Sequence, residues 1–405
     1  MQNNQTHSHI STILAFTLIP LSGFATDIYI PSLSSMAGHL AVSNAAVQLS
    51  LIVFMISYGI SQLFVGSLLD SFGRYSPGLI ALLFFAMASF TIAGYGNIHI
   101  IYLMRAVQGL AVSVIVVGKR AYFMDVFRGE KLKHYTSLFS IIWATAPVVA
   151  PFIGGYLESI FGWASNFYFL GIATLLLFIL ELKYSKESLT SSQPFKLNRI
   201  LKVYLSTVTA FDFTLGLIVI SLSYSMLIVY GLSAPFIIEH VYHLSPVITG
   251  YCSLMSGVSL MIGGVISKLL INRKLTKKLM VAVSLQIAFA ALMFFTSGFE
   301  DTLLTLMIFT AAVHLLSGFL FNNIFAYCLG RFTENAGIVS GITGGSLYVI
   351  TSIISYGTVS IIAVKNATNL GLIYFGFALL AGLLLLVFFK VKNVALKRSV
   401  VTNNV

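Results

Sequence analysis

Apolar residues in this chain gather in long runs separated by short polar stretches, with no sustained alternation of the kind a half-buried strand would show. Twelve runs are long enough to cross a ~30 Å hydrocarbon core as helices: Thr12–Pro31, Ala46–Leu69, Pro77–Gly96, His99–Tyr122, Thr136–Leu157, Ala164–Tyr184, Phe211–Ile238, Val247–Leu270, Leu279–Gly298, Leu303–Tyr327, Ile338–Val364 and Leu370–Lys390. In lipid only a helix satisfies its backbone within one segment, so the pattern predicts an all-α membrane protein of twelve transmembrane helices. The polar segment 185–205, rich in Ser, Lys and Gln, divides the runs six and six. It predicts an N-terminal six-helix bundle over 1–184, a cytoplasmic linker, and a C-terminal six-helix bundle over 206–405. A glycine-then-basic pattern after span two has a faint counterpart after span eight, at Gly264, Lys268 and Arg273, as expected of halves related by an axis along the membrane normal.

Composition sharpens this. With 58% hydrophobic and 9% charged residues among 405, and a mean hydropathy of +0.95, a soluble globular protein is excluded. The net charge of +11 would suit a nucleic-acid binder, but the charges sit in short clusters between apolar runs, so membrane lipid is the expected neighbour and nucleic acid is not. If the N-terminus is inside, 21 of the 23 Lys and Arg fall on the inner side, including Arg74, the cluster Lys119 to Lys133, Lys183 to Lys202, Lys268 to Lys278, Arg331 and Lys390 to Arg398. Positive charge favours the cytoplasmic face, so both termini are expected there. The first run is too long for a secretory leader and follows no Lys or Arg, so it is expected to be a retained helix. Cys252 and Cys328 lie inside apolar runs without a shared spacing motif and read as buried thiols.

Against this background the charges inside spans stand out. Asp27 lies about four residues before the end of span one, and a carboxylate there costs several kcal/mol unless partner or water offsets it. Arg105 lies about six residues into span four, so at ~1.5 Å per residue both sit ~6–9 Å below the same boundary and could meet. An acid that changes between charged and protonated states there is a candidate proton carrier; a fixed buried ion pair is the alternative. Gly66, Asp70, Gly73 and Arg74 end span two in a Gly-x-x-x-Asp-x-x-Gly-Arg string suited to a tight turn and helix capping. In span five Ala146, Ala150 and Gly154 recur every four residues, as do Pro147, Pro151 and Gly155, giving a smooth face that either slides and bends or simply packs closely.

These strings, in this order, resemble the major facilitator superfamily, and within it the Bcr/CflA-like drug:proton antiporters. Asp27 to Pro31, Gly66 to Arg74, Arg105 to Gly109 and Ala146 to Gly155 carry the resemblance, with Ser233 to Phe236 and Val241 to Pro246 similar to that family's seventh span and outer loop. The resemblance implies proton-driven export of a small amphipathic substrate across a bacterial inner membrane by a monomer. It implies that the acid matching Asp27 takes up protons, that the arginine matching Arg105 supports it, that the Asp70 and Arg74 loop latches the two halves, and that the span-five string marks antiport. Ser71 and Tyr75 stand where the family commonly has basic residues, which implies a weaker latch. Export of an endogenous metabolite such as a siderophore, or proton-coupled uptake, is the alternative.

Other polar residues suggest a substrate cavity near the midplane between the halves: Tyr58, Gln108, Tyr230, His314 and Asn322, with Asn323 beside it. His314 reads either as a relay or as a neutral hydrogen-bonded histidine. Glu239, His240 and His243 superficially suggest a metal site, but no further ligands accompany them, so none is expected. No Walker loop, catalytic triad or dinucleotide fingerprint is present, so neither an enzyme nor a cofactor is expected.

Overall fold

The computed structural model describes residues 2–192, 197–332 and 336–402 and is all helical among them. Lys196 of the basic clusters lies outside the described residues, as do the side chains of Lys133, Arg199, Lys392, Lys397 and Arg398. Among the described residues eleven helical segments are long and apolar enough to cross a membrane. The fifth expected span falls in a further helix, Gly129–Phe161, of which some side chains lie outside the described set. The protein is a multi-pass membrane protein.

Span one departs from the single helix the apolar run predicts. It is broken into α1 (Gln2–Leu18), α2 (Leu21–Asp27), a 3-10 turn (Ile30–Ser32) and α3 (Leu33–His39). Pro20 precedes α2 and Pro31 sits in the 3-10 turn; each lacks an N–H and interrupts the ladder of helical hydrogen bonds. The other helices of the first half are α4 (Asn44–Phe72), α5 (Tyr75–Gly94), α6 (Ile98–Val126), α7 (Gly129–Phe161) and α8 (Ala164–Tyr184). Ser43 caps α4 through the Ala46 amide, and Asn97 caps α6 through the amides of His99 and Ile100. Then follow α9 (Leu197–Val208), α10 (Phe211–Phe236), a π-helical turn (Ile237–Val241), α11 (Pro246–Leu269), α12 (Leu275–Ser297), α13 (Leu303–Gly330), α14 (Ala336–Ile361) and α15 (Ala367–Thr402).

Two compact units emerge from the packing. One comprises Met1–Lys196 with Ala234–Leu254, the other Leu197–Ser233 with Met255–Val405. Within the first, α5 packs on α8; within the second, α12 packs on α15. These are spans three with six and nine with twelve. The segment expected as linker is partly helical, since Leu197–Val208 forms α9 and packs on α14.

The span-five face packs as its small residues suggest. Ala146 and Ala150 are fully buried, and a Cβ on Gly23 of α2 would run into Ala146. Gly154 lies directly against the carbonyl of Ile28, with the Asn166 side chain 3.3 Å from where its own Cβ would stand. The Pro151 and Gly155 side of α7 meets the start of α11: a Cβ on Gly155 would lie 2.7 Å from the Pro246 carbonyl, and one on Gly250 2.9 Å from that of Pro151. Because the obstacle at Gly154 is backbone, it cannot swing aside. Gly154→Val is expected to lower stability by about 1–3 kcal/mol, read as a fall in melting temperature in detergent; an unchanged melt would mean that α7 does not bear on the break in span one.

Candidate functional site

The break in span one leaves Asp27 as the last residue of α2, buried at 6% exposure. Arg105, on the apolar helix α6, is completely buried beside it. The two charges act on one another without forming an ion pair. Instead Arg105 Nη1 donates to the Ala25 carbonyl at 2.9 Å and to Gln108 Oε1 at 2.9 Å, and Nε donates to the Ser50 carbonyl at 3.4 Å. Its Cζ stands 4.3 Å from the Phe54 ring centroid, 4.7 Å from that of Tyr29 and 6.0 Å from that of Phe167. The guanidinium is thus stacked between aromatic faces and fastened to α2 and α4 by backbone carbonyls. Tyr29 Oη and Ser50 Oγ, 3.0 Å apart, close this side of the cluster.

Gln108 has a different place from the cavity lining suggested for it. Fully buried, it accepts from Arg105 through Oε1 and donates through Nε2 to Ser89 Oγ of α5 at 2.7 Å, so its amide ties Arg105 to α5. Tyr58 is also buried, with its hydroxyl at Ser22 of α2 and Gln62 of its own helix. Tyr230 and His314 meet in the second unit, their rings 5.5 Å apart at 89°. His314 Nδ1 bonds Ser256 Oγ at 2.7 Å and Nε2 bonds Tyr374 Oη at 3.0 Å, so both ring nitrogens are engaged by hydroxyls. Asn322 stands apart from them, exposed, its amide donating to the Gly318 carbonyl one turn back at 2.9 Å. Asn323 is buried and bonds the Phe319 carbonyl. Among the described residues no cluster of His, Cys, Asp and Glu suits a metal.

The loop after span two is a charge clasp within the first unit. Arg74 Nη1 pairs with Asp70 at 2.9 Å, and Nε pairs with Asp125 Oδ2 at the end of α6 at 2.9 Å. Burial would lower the Arg74 pKa, but Asp125 and Asp70 together hold it above its usual value. Gly73, at φ +89°, turns the chain so that the amides of Arg74 and Tyr75 point to Glu187, each 3.0 Å from its carboxylate. Ser188 adds a hydroxyl bond to Asp125 at 2.9 Å. Gly66, by contrast, has nothing within 4 Å of where a Cβ would stand, so it serves no close approach there. Asp125 and Glu187 were not legible as partners, because each follows an apolar run with no spacing signal linking it to Arg74. The same holds for Lys119 and Glu181, an ion pair at 2.6 Å between α6 and α8.

A family model described as Major Facilitator Superfamily matches residues 15–356. The chain belongs to the major facilitator superfamily. This transporter is 29% identical over 81% of its length to an uncharacterized MFS-type transporter of Bacillus subtilis (strain 168), covering 83% of that protein. It is 30% identical to multidrug resistance protein D of Escherichia coli (strain K12) over 39% of this chain and 40% of that one, and 31% identical to a bicyclomycin resistance protein homolog of Haemophilus influenzae (strain ATCC 51907 / DSM 11121 / KW20 / Rd) over 50% and 51%. The matched region thus spans about half or less of these resistance proteins. In fold it is similar to a D-xylose-proton symporter, with a TM-score of 0.72 at 13% identity over 94% of this chain and 97% of that one.

Two measurements probe this geometry. Gln108→Leu leaves Arg105 and Ser89 each short of a buried partner and is expected to cost about 1–3 kcal/mol, seen as a lower melting temperature. Burial tends to raise the Glu187 pKa, but backbone amides of Arg74, Leu189, Tyr75 and Ser188 outweigh it and hold the value below the usual glutamate range. Its contribution to stability is therefore present above that range and lost as pH falls through the folded-state value. Glu187→Gln is expected to melt lower than the parent at neutral pH, with the difference closing in acid; parallel melting curves at all pH would show the clasp to be idle.

Proposed function

We propose that this transporter is a proton-coupled antiporter of the Bcr/CflA type, exporting small amphipathic, drug-like compounds across a bacterial inner membrane as a monomer with both termini in the cytoplasm. The two six-helix bundles are taken as 1–184 and 206–405. Asp27 carries the proton. The observation that supports this best is the placement of that acid: buried, at the end of a helix interrupted in mid-span, without an ion pair among the described residues, and next to a fully buried arginine fixed by carbonyls and rings. An ion pair would hold Asp27 permanently charged, whereas a charge nearby but not bonded leaves it free to take up and release a proton as access changes. Arg105 tunes the site without binding the proton itself. The names of the resistance proteins similar to this chain support a drug-like cargo.

Each proton moving inward gains ~2.3 kcal/mol per 100 mV of membrane potential, in addition to any pH gradient. One or two are enough to drive useful accumulation. With the purified protein in liposomes, Asp27→Asn is expected to lower the ratio of pH-gradient-driven to exchange flux of chloramphenicol or bicyclomycin by about tenfold or more. Undiminished gradient-driven transport would remove Asp27 from the mechanism. The direction of drug movement in inverted vesicles separates export from uptake.

A further inference from the structure

At the end of the first unit opposite the Gly66 to Arg74 loop, a second group of ionisable side chains comes together from two elements, with hydroxyls from two more. The seventh span passes after Phe236 into the π-helical turn Ile237–Val241, which carries Glu239 and His240. Such turns recur at functional sites because they re-aim side chains at the expense of regular helix. His240 Nε2 and Ser34 Oγ of α3 are 2.9 Å apart. Ser34 also bonds the Glu239 carboxylate, which accepts from Thr249 Oγ1 of α11 at 3.4 Å as well. Glu158 of α7 acts on Glu239 as a like charge, and among the described residues it is the one charge that does so.

Two buried acceptors here lack donors. Glu158 is 9% exposed, and its Oε2 has no hydrogen-bond partner among the described residues. One turn earlier on the same face of α7, Gly154 abuts Asn166, whose Oδ1 is likewise unpartnered while its Nδ2 donates to Ser32 Oγ at 2.7 Å. A static packing arrangement fills such acceptors, since each one left open costs about 1–3 kcal/mol. A carboxyl, unlike an amide oxygen, can turn from acceptor to donor by taking up a proton. Exposure is also graded, from exposed His240 through half-buried Glu239 to buried Glu158. Ser32 and Ser34 belong to the stretch of span one that continues directly from Asp27.

We propose that Glu158 and Glu239, joined to His240 through Ser34, form a second proton-binding station that exchanges protons with the solution at this end of the unit and passes them along span one toward Asp27. This rests on the proton-coupled reading above and adds to it a named entry point. His240 and Glu239 collect the proton at the surface; Glu158 holds it inside; the hydroxyls of Ser34 and Ser32 and the amide of Asn166 line the way to the break.

The test uses the purified full chain in an Asp27→Asn background, so that its first arm does not depend on the role of Asp27. Infrared difference spectra recorded across a pH titration read protonated carboxyl groups. Glu158→Gln and Glu239→Gln are each expected to remove part of the protonated-carboxyl band, and the double variant both parts; a band of unchanged size in the double variant overturns the station. In liposomes with Asp27 intact, Glu158→Gln/Glu239→Gln is expected to lower the ratio of gradient-driven to exchange flux of chloramphenicol by about tenfold. Glu158→Asp/Glu239→Asp should recover it where loss of packing alone would not. An unchanged ratio, or a loss that the aspartates fail to restore, overturns the proposal. Failure of the Asp27 assignment shows separately, as full coupling in Asp27→Asn with the infrared result unaltered.

Discussion

The contact between the Gly154 backbone of α7 and the Ile28 carbonyl holds the rest of the first unit's chemistry in place. Span one is interrupted at that point, and an interrupted helix in a membrane leaves carbonyls and amides that something else must satisfy or cover. Glycine lets α7 come close enough to cover the break, which no side chain would allow. Asp27 sits immediately before the break and Ser32 and Ser34 immediately after it, so the same contact positions both the buried acid and the hydroxyls beyond.

Arg105 makes sense only in this setting. Removing a guanidinium from water costs several kcal/mol even after relaxation, and an ion pair is the usual compensation. Here carbonyls of Ala25 and Ser50, the Gln108 amide and three aromatic rings take that part instead. A planar, five-donor group suits such a cage and a lysine does not. The consequence is that the positive charge remains near Asp27 without binding it.

The loop after span two solves a different problem. Arg74 is gripped by side-chain carboxylates from the end of α4 and from α6, while the backbone around it is gripped by Glu187. Residues just after span six are therefore part of the first unit's packing and not a loose tether. Charge-assisted bonds of this kind are strong when partly shielded, and the Glu187 bonds are released by its protonation, which ties that part of the clasp to pH in a way the apolar helix contacts are not.

What the sequence determined by itself follows from lipid thickness and from side-chain cost. Apolar runs of about 20 residues dictate helical spans wherever they occur, and the expense of a charge in lipid singles out Asp27 and Arg105 without any knowledge of their neighbours. The four-residue spacing of Ala146, Ala150 and Gly154 likewise announces a close contact. Only the tertiary structure decided what each residue meets. Gln108 reads as a lining residue until Ser89 and Arg105 are seen at its two ends, and the sequence leaves His314 open between a relay and a hydrogen-bonded histidine until Ser256 and Tyr374 are seen on its nitrogens. Asp125 and Glu187 carry no local signal at all. Span and depth are set by residues close in sequence, whereas partners depend on how far each helix is turned about its axis, and that rotation is fixed by packing between segments distant in the chain.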